Sequence, residues 1–130
     1  MKQELKNYST QIEFINHVPK TEIEHYLAQT DICVFPSLWE VFGYVCVEAM
    51  AAARGIVASK HGGMKDMLED INGGVLVDPF EPQQIADGIL HLLNHPEERT
   101  AMGLRSRKKV MDYYSKQVID DTEAYYRSIL

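Results

Sequence analysis

Phe35-Pro36-Ser37-Leu38-Trp39-Glu40-Val41-Phe42-Gly43-Tyr44-Val45-Cys46-Val47-Glu48-Ala49-Met50-Ala51 reads as the end of an apolar strand, a loop and a helix. Two carboxylates frame the turn. Glu40 lies in the loop and Glu48 follows eight positions later, inside the helix, with Gly43 between them where the helix N-terminus should fall. Such an end presents backbone N–H groups without intrahelical partners and the positive pole of the macrodipole, so it suits an anion such as phosphate. A carboxylate beside it suits sugar hydroxyls, because it only accepts hydrogen bonds. The combination points to a nucleotide-sugar pocket. Spacing alone fits two ordinary surface acids equally well, since acids are common near helix starts.

Outward from that turn, short β-type runs alternate with helical patterns, the signature of βα units around a mostly parallel sheet. Upstream, Ile12-Glu13-Phe14-Ile15 reads as a first strand that ends at Asn16-His17-Val18-Pro19. A helix to about Gln29 follows, with Thr21 as N-cap, Glu24 as its capping-box partner and Ile23, Tyr26 and Leu27 facing inward. The second strand is Ile32-Cys33-Val34-Phe35.

Downstream of the loop, a helix runs from Tyr44 to about Ala53, and Ile56-Val57-Ala58-Ser59 forms the third strand. Lys60-His61-Gly62-Gly63 is then a loop feeding a short helix from Met64 to Glu69. Asn72-Gly73-Gly74 signals a turn into the fourth strand, Val75-Leu76-Val77. Gln83 to Asn94 is an amphipathic helix with Ile85, Ile89, Leu92 and Leu93 on one side, stopped by Pro96. Glu97 to Tyr114 is a further helix, and Ser115 caps a last one over about 115–130, with Val118, Ile119, Thr122, Tyr125, Tyr126, Ile129 and Leu130 at helical spacing. The expected fold is α/β: a partial Rossmann-like three-layer sandwich with about four mostly parallel strands, in one domain over 1–130.

A formal charge of −6 argues against nonspecific nucleic-acid binding, which needs a basic field. Cys33 and Cys46 fall inside apolar runs, where a free buried thiol is the usual state. Met1 to Tyr8 holds no apolar signal core, and no run approaches the ~18 apolar residues needed to cross a bilayer. A soluble, cytoplasmic protein is the expectation.

The ordered motifs resemble the retaining glycosyltransferases of the two-lobed GT-B fold (glycosyl transferases group 1, family 4), specifically their C-terminal, donor-binding lobe. The frame Glu40-x7-Glu48, with Phe42-Gly43 inside it and Glu48-Ala49-Met50-Ala51 at its end, is the specific part of the match. Phe14 to Pro19, Asp31 to Ser37, Gly62-Gly63, Gly74 to Pro79 and the Ile85-to-Pro96 helix extend it. The resemblance implies that Glu48 binds the ribose hydroxyls of a UDP- or GDP-sugar and that Glu40 meets the hexose near its reacting end. It places the amides of Phe42, Gly43, Tyr44 and Val45 against sugar and pyrophosphate, and the backbone near Val18 against the base.

The implied reaction is transfer of a hexose in glycan or polysaccharide synthesis, with retained anomeric configuration, no cofactor and no metal. Departures from the family pattern are mild: Asn16 replaces a usual glycine, Ala53 and Gly55 stand where glycine and proline are usual, and Asp66 replaces a glutamate. By the same resemblance the chain is an N-terminally truncated lobe. It lacks two βα units and the acceptor-binding lobe, so little transfer by the chain alone is expected. Ile12 to Ile15 would then lose its neighbours, which predicts a rearranged four-stranded sheet, a homo-oligomer, or pairing with another chain. The alternatives are a noncatalytic nucleotide-sugar-binding or interaction module, and a nucleotide-sugar epimerase of the same fold.

Other conspicuous residues have plainer readings. Trp39 is expected to pack at the loop. Lys60 and His61 could assist phosphate, with a solvated loop preferred. His91 and His95 have the i, i+4 spacing of a helical metal pair, but the sequence shows no further ligand for them. Arg99, Arg105, Arg107, Lys108 and Lys109 read as a solvated face rather than a membrane contact, and Tyr113, Tyr114, Tyr125 and Tyr126 as packing.

Overall fold

The computed structural model describes residues 11–113 and 116–129. Three parallel strands, β1 (Ile32–Phe35), β2 (Gly55–Ser59) and β3 (Val75–Val77), form a sheet in the order β1-β2-β3. Ile32 pairs with Gly55 and Phe35 with Ala58, while Val57 pairs with Val75 and Ser59 with Val77. β2 is central and all five of its residues are buried, which accounts for its unbroken apolar run.

Side-chain alternation divides the sheet into two faces. On one, Cys33, Ile56 and Ala58 pack with Cys46, Ala49 and Met50 of α2 (Tyr44–Ala51), Met64 and Leu68 of α3 (Gly63–Leu68), and Val110 of α5 (Pro96–Tyr113). On the other, Val57 and Val77 meet Leu92 of α4 (Pro82–Asn94) and Met102 of α5. The expected three-layer arrangement follows, with each helix starting and ending within about two residues of its sequence-read bounds, the ordinary scatter of such ends.

The N-terminal expectations are corrected. Residues 12–19 have no regular secondary structure, so among the described residues the sheet has three strands and not four. Ile12, Phe14 and Ile15 are exposed, and among the described residues β1 pairs only with β2. A four-residue apolar run becomes a strand only when a neighbour takes up its backbone groups. The capping box also fails. α1 (Lys20–Gln29) starts one residue before Thr21, its N-cap is Pro19, and no side chain caps it. Ser115 and the N-terminal stretch Met1 to Tyr8 lie outside the described residues.

α5 is the strut of the domain. Ser106 donates to the Gly73 carbonyl at 2.8 Å, and a Cβ added to Gly103 would stand 2.3 Å from the Ala53 oxygen. Ala53 itself adopts the left-handed region, with φ 54°. The basic stretch on α5 is largely exposed, as expected, yet two of its side chains also tie the helix to the α3–β3 turn. Arg105 donates to the Ile71 and Asn72 carbonyls, and Lys109 donates to the Met67 carbonyl and pairs with Asp70 at 2.6 Å. By contrast, α6 (Lys116–Ile129) is exposed along its described side chains, and Tyr125 and Tyr126 meet edge to face with ring centroids 6.0 Å apart.

Candidate functional site

Parallel strands deliver their following loops to one edge of the sheet, and ligands of doubly wound folds bind outside that edge. Here the loop after β1 carries Glu40 to Gly43, and the loop after β2 carries Lys60 to Gly62. The two loops pack backbone to backbone. Gly63 N–H donates to the Glu40 carbonyl at 3.1 Å. A Cβ on Gly62 would stand 2.3 Å from that carbonyl oxygen, and one on Gly63 would stand 2.2 Å from the Val41 oxygen. Gly62 also needs its φ of 71°, so no L side chain suits it on either count. Gly62-Gly63 thus seats the Glu40 loop.

Gly43 has φ 73° and ends that loop as the N-cap of α2. Its carbonyl accepts from Cys46 and Val47, at 2.8 and 3.2 Å, which leaves the N–H groups of Tyr44 and Val45 without partners inside the helix. Glu40 is half-buried, and its Oε1 accepts from the Phe42 N–H at 3.4 Å. Glu48 is half-buried one turn into α2, and no hydrogen bond or ion pair occupies its carboxylate among the described residues. The sequence frame therefore converges as a loop, a helix N-terminus and two carboxylates.

Lys60 and His61 turn elsewhere. The Ser59–Val77 register sets the residues after each strand side by side, and Lys60 Nζ pairs with Asp78 at 3.0 Å while His61 Nε2 lies 4.0 Å from its other oxygen. The Phe80 N–H and the Lys60 ammonium hold the Asp78 carboxyl below its ordinary value of 3.8. Asp78 was not foreseen as their partner, although adjacency of the third and fourth sequence-read strands would have indicated it. Val18 sits half-buried in the irregular stretch before α1.

Trp39 does not pack as expected. It is 78% exposed, and with Leu38, Val41, Tyr44 and Val45 it makes an apolar rim around the carboxylates. Behind the rim, Val41, Phe42, Val47, Met50, Met67 and Val110 line part of a cavity of about 370 Å³, reached also by the Lys109 side chain. Cys46, on the inner face of α2, is wholly buried, and burial pushes its thiol up to about 12; burial raises Cys33 as well. Both are free, as expected from the sequence. A third group the sequence reading missed is Glu98. It lies at the far end of the domain, beside His91 and His95.

The fold and the loop-helix turn define the C-terminal domain of a GT-B glycosyltransferase. Residues 2–109 match the family described as Glycosyl transferases group 1, and the chain belongs to that family. D-inositol 3-phosphate glycosyltransferase from Thermobifida fusca is 30% identical over 112 residues, which make up 86% of this chain and 26% of that protein. Its namesake from Corynebacterium glutamicum is 34% identical over 92 residues, 71% of this chain and 22% of that one. The chain spans about a quarter of the length of these relatives.

Among solved structures, the C-terminal domain of a group 1 family glycosyl transferase from Francisella tularensis superposes with TM-score 0.74 at 29% identity, covering 88% of this chain and 60% of that one. Anabaena HepE in complex with UDP-glucose gives TM-score 0.84 over 99% of this chain and 36% of its own. At 23% identity that likeness is one of fold. No helix among the described residues is long and apolar enough to cross a membrane.

Proposed function

We propose that this chain is the donor-binding part of a retaining glycosyltransferase that moves a hexose from a nucleoside diphosphate sugar, with UDP or GDP as the nucleotide, to an acceptor in glycan or polysaccharide synthesis. The carrying observation is the seated loop: Glu40 held by Gly62-Gly63, a helix N-terminus at Gly43, and a half-buried Glu48 whose carboxylate has no hydrogen-bond or ion-pair partner among the described residues. In this reading Glu48 accepts from the ribose hydroxyls and Glu40 faces the hexose. The amides of Phe42, Gly43, Tyr44 and Val45 receive the sugar and pyrophosphate oxygens. Electrostatic stabilisation of the departing diphosphate is the main catalytic contribution. The backbone near Val18 meets the base.

The chain alone is expected to bind nucleotide and transfer little, because Lys60 and His61, the cationic candidates for phosphate, both face Asp78. Calorimetric titration with UDP and GDP tests the reading. Glu48→Ala should weaken the bound nucleotide by about tenfold to a hundredfold, the loss of charged hydrogen bonds. Absence of binding at millimolar nucleotide would favour a noncatalytic interaction module, and robust transfer by the purified chain would overturn the expected low activity.

A further inference from the structure

The corner between α4 and α5 lies at the opposite end of the sheet from the Glu40 loop. Arg99, in the first turn of α5, pairs with Asp31 just before β1, and its side chain lies 2.7 Å from where a Cβ on Gly55, at the start of β2, would stand. One residue, His95, separates the two helices, and Pro96 begins α5. His95 N–H donates to the His91 carbonyl at 3.1 Å, and the Arg99 N–H returns to the His95 carbonyl at 2.9 Å. The junction is therefore fixed by backbone bonds on both sides. It sets His91, His95 and Glu98 around one point.

Each of the three can offer one ligand atom within 4.8 Å of the other two. His91 Nε2 and Glu98 Oε2 are already 3.1 Å apart, and the two imidazole rings lie side by side with centroids 4.5 Å apart and planes tilted by 32°. Metal–ligand bonds of about 2.1 Å in a tetrahedron place ligand atoms about 3.4 Å apart, so side-chain shifts that close at most about 1.4 Å suffice. The His95 ring is also oriented. Its Nδ1 lies 2.8 Å from the His91 carbonyl, which can only accept, so Nδ1 carries the proton and Nε2 keeps its lone pair. A backbone carbonyl holding one imidazole nitrogen while the other ligates is the usual outer shell of a metal-binding histidine.

We propose that His91, His95 and Glu98 form a site for a zinc-class divalent cation that clasps α4 to α5, remote from the nucleotide-sugar site. Two imidazoles and a carboxylate are the borderline donors that such ions take, with water completing the fourth position. On binding, the ion takes the place of the proton between His91 Nε2 and Glu98, and the neutral ring keeps its one proton on Nδ1.

The test is zinc titration of the chelator-stripped chain by calorimetry, with Co²⁺ absorption reporting four-coordinate geometry. One equivalent of zinc should bind. His91→Ala and His95→Ala should each weaken binding by roughly tenfold or more, Glu98→Gln should do so less strongly, and Glu48→Ala should change nothing. Melting curves in chelator should be alike for all of these surface variants, separating ligand loss from misfolding. No binding at millimolar zinc, or unchanged affinity in the His91→Ala, His95→Ala double variant, would overturn the proposal.

Discussion

β2 and the stretch from Ile12 to Ile15 are both short apolar runs, yet one is the centre of the sheet and the other is irregular and exposed. The difference is in neighbours. β2 has a paired strand on each side and helices over both faces, so Val57 and Ala58 are paired on both edges and all five residues are buried. Residues 12–15 form no ladder, and the helix after them buries no side chain fully. A β pattern in sequence states what a segment can do, and topology decides whether it does so.

The strongest way to break this comparison is at β2. Ile56→Ala should lower the unfolding free energy by about 2–5 kcal/mol, read from the denaturant midpoint, because the residue is wholly buried between helices. If the domain tolerates that change with a loss near zero, β2 is not its core. Gly62→Ala comes next. Positive φ and the close Glu40 carbonyl should together make it about 2–3 kcal/mol less stable, and chemical shifts around Glu40 to Gly43 should move.

Asp78→Asn should have a smaller, pH-dependent effect. The folded carboxyl titrates below its ordinary 3.8, so its contribution is present above that value and lost as pH falls through the lower folded one. The variant should therefore melt slightly lower than the parent at neutral pH, and the two curves should converge in acid. The smallest effect belongs to the N-terminal segment. Ile15→Ser, at a residue 47% exposed, should change stability by about 0.5 kcal/mol or less. A loss comparable to that at Ile56 would show that the segment shares the core.

Much of the site was legible because its signals are local. Gly43 as a helix start, the two carboxylates and the apolar strand before them are readable in one window, and the structure has β1, the loop and α2 with Gly43 as its N-cap in that order. The three strands were legible because parallel strands covered by helices read as continuous apolar runs. What was missed depends on contacts between elements. Thr21 looked like a cap, but Pro19, already extended at ψ 143°, starts the helix earlier. Trp39 looked like packing, yet it stands largely exposed. Asp78 and Glu98 became partners of Lys60 and of the histidine pair only once strand register and helix junction were fixed.

The two cysteines make the sheet's interior a clock. Both thiols are buried, and burial keeps them protonated well beyond neutral pH, while the reactive species toward alkylating agents is the thiolate. Modification must therefore wait for the structure around β1 and α2 to open. Its rate, followed by mass with no added label, measures how often the floor beneath the Glu40–Glu48 turn comes apart.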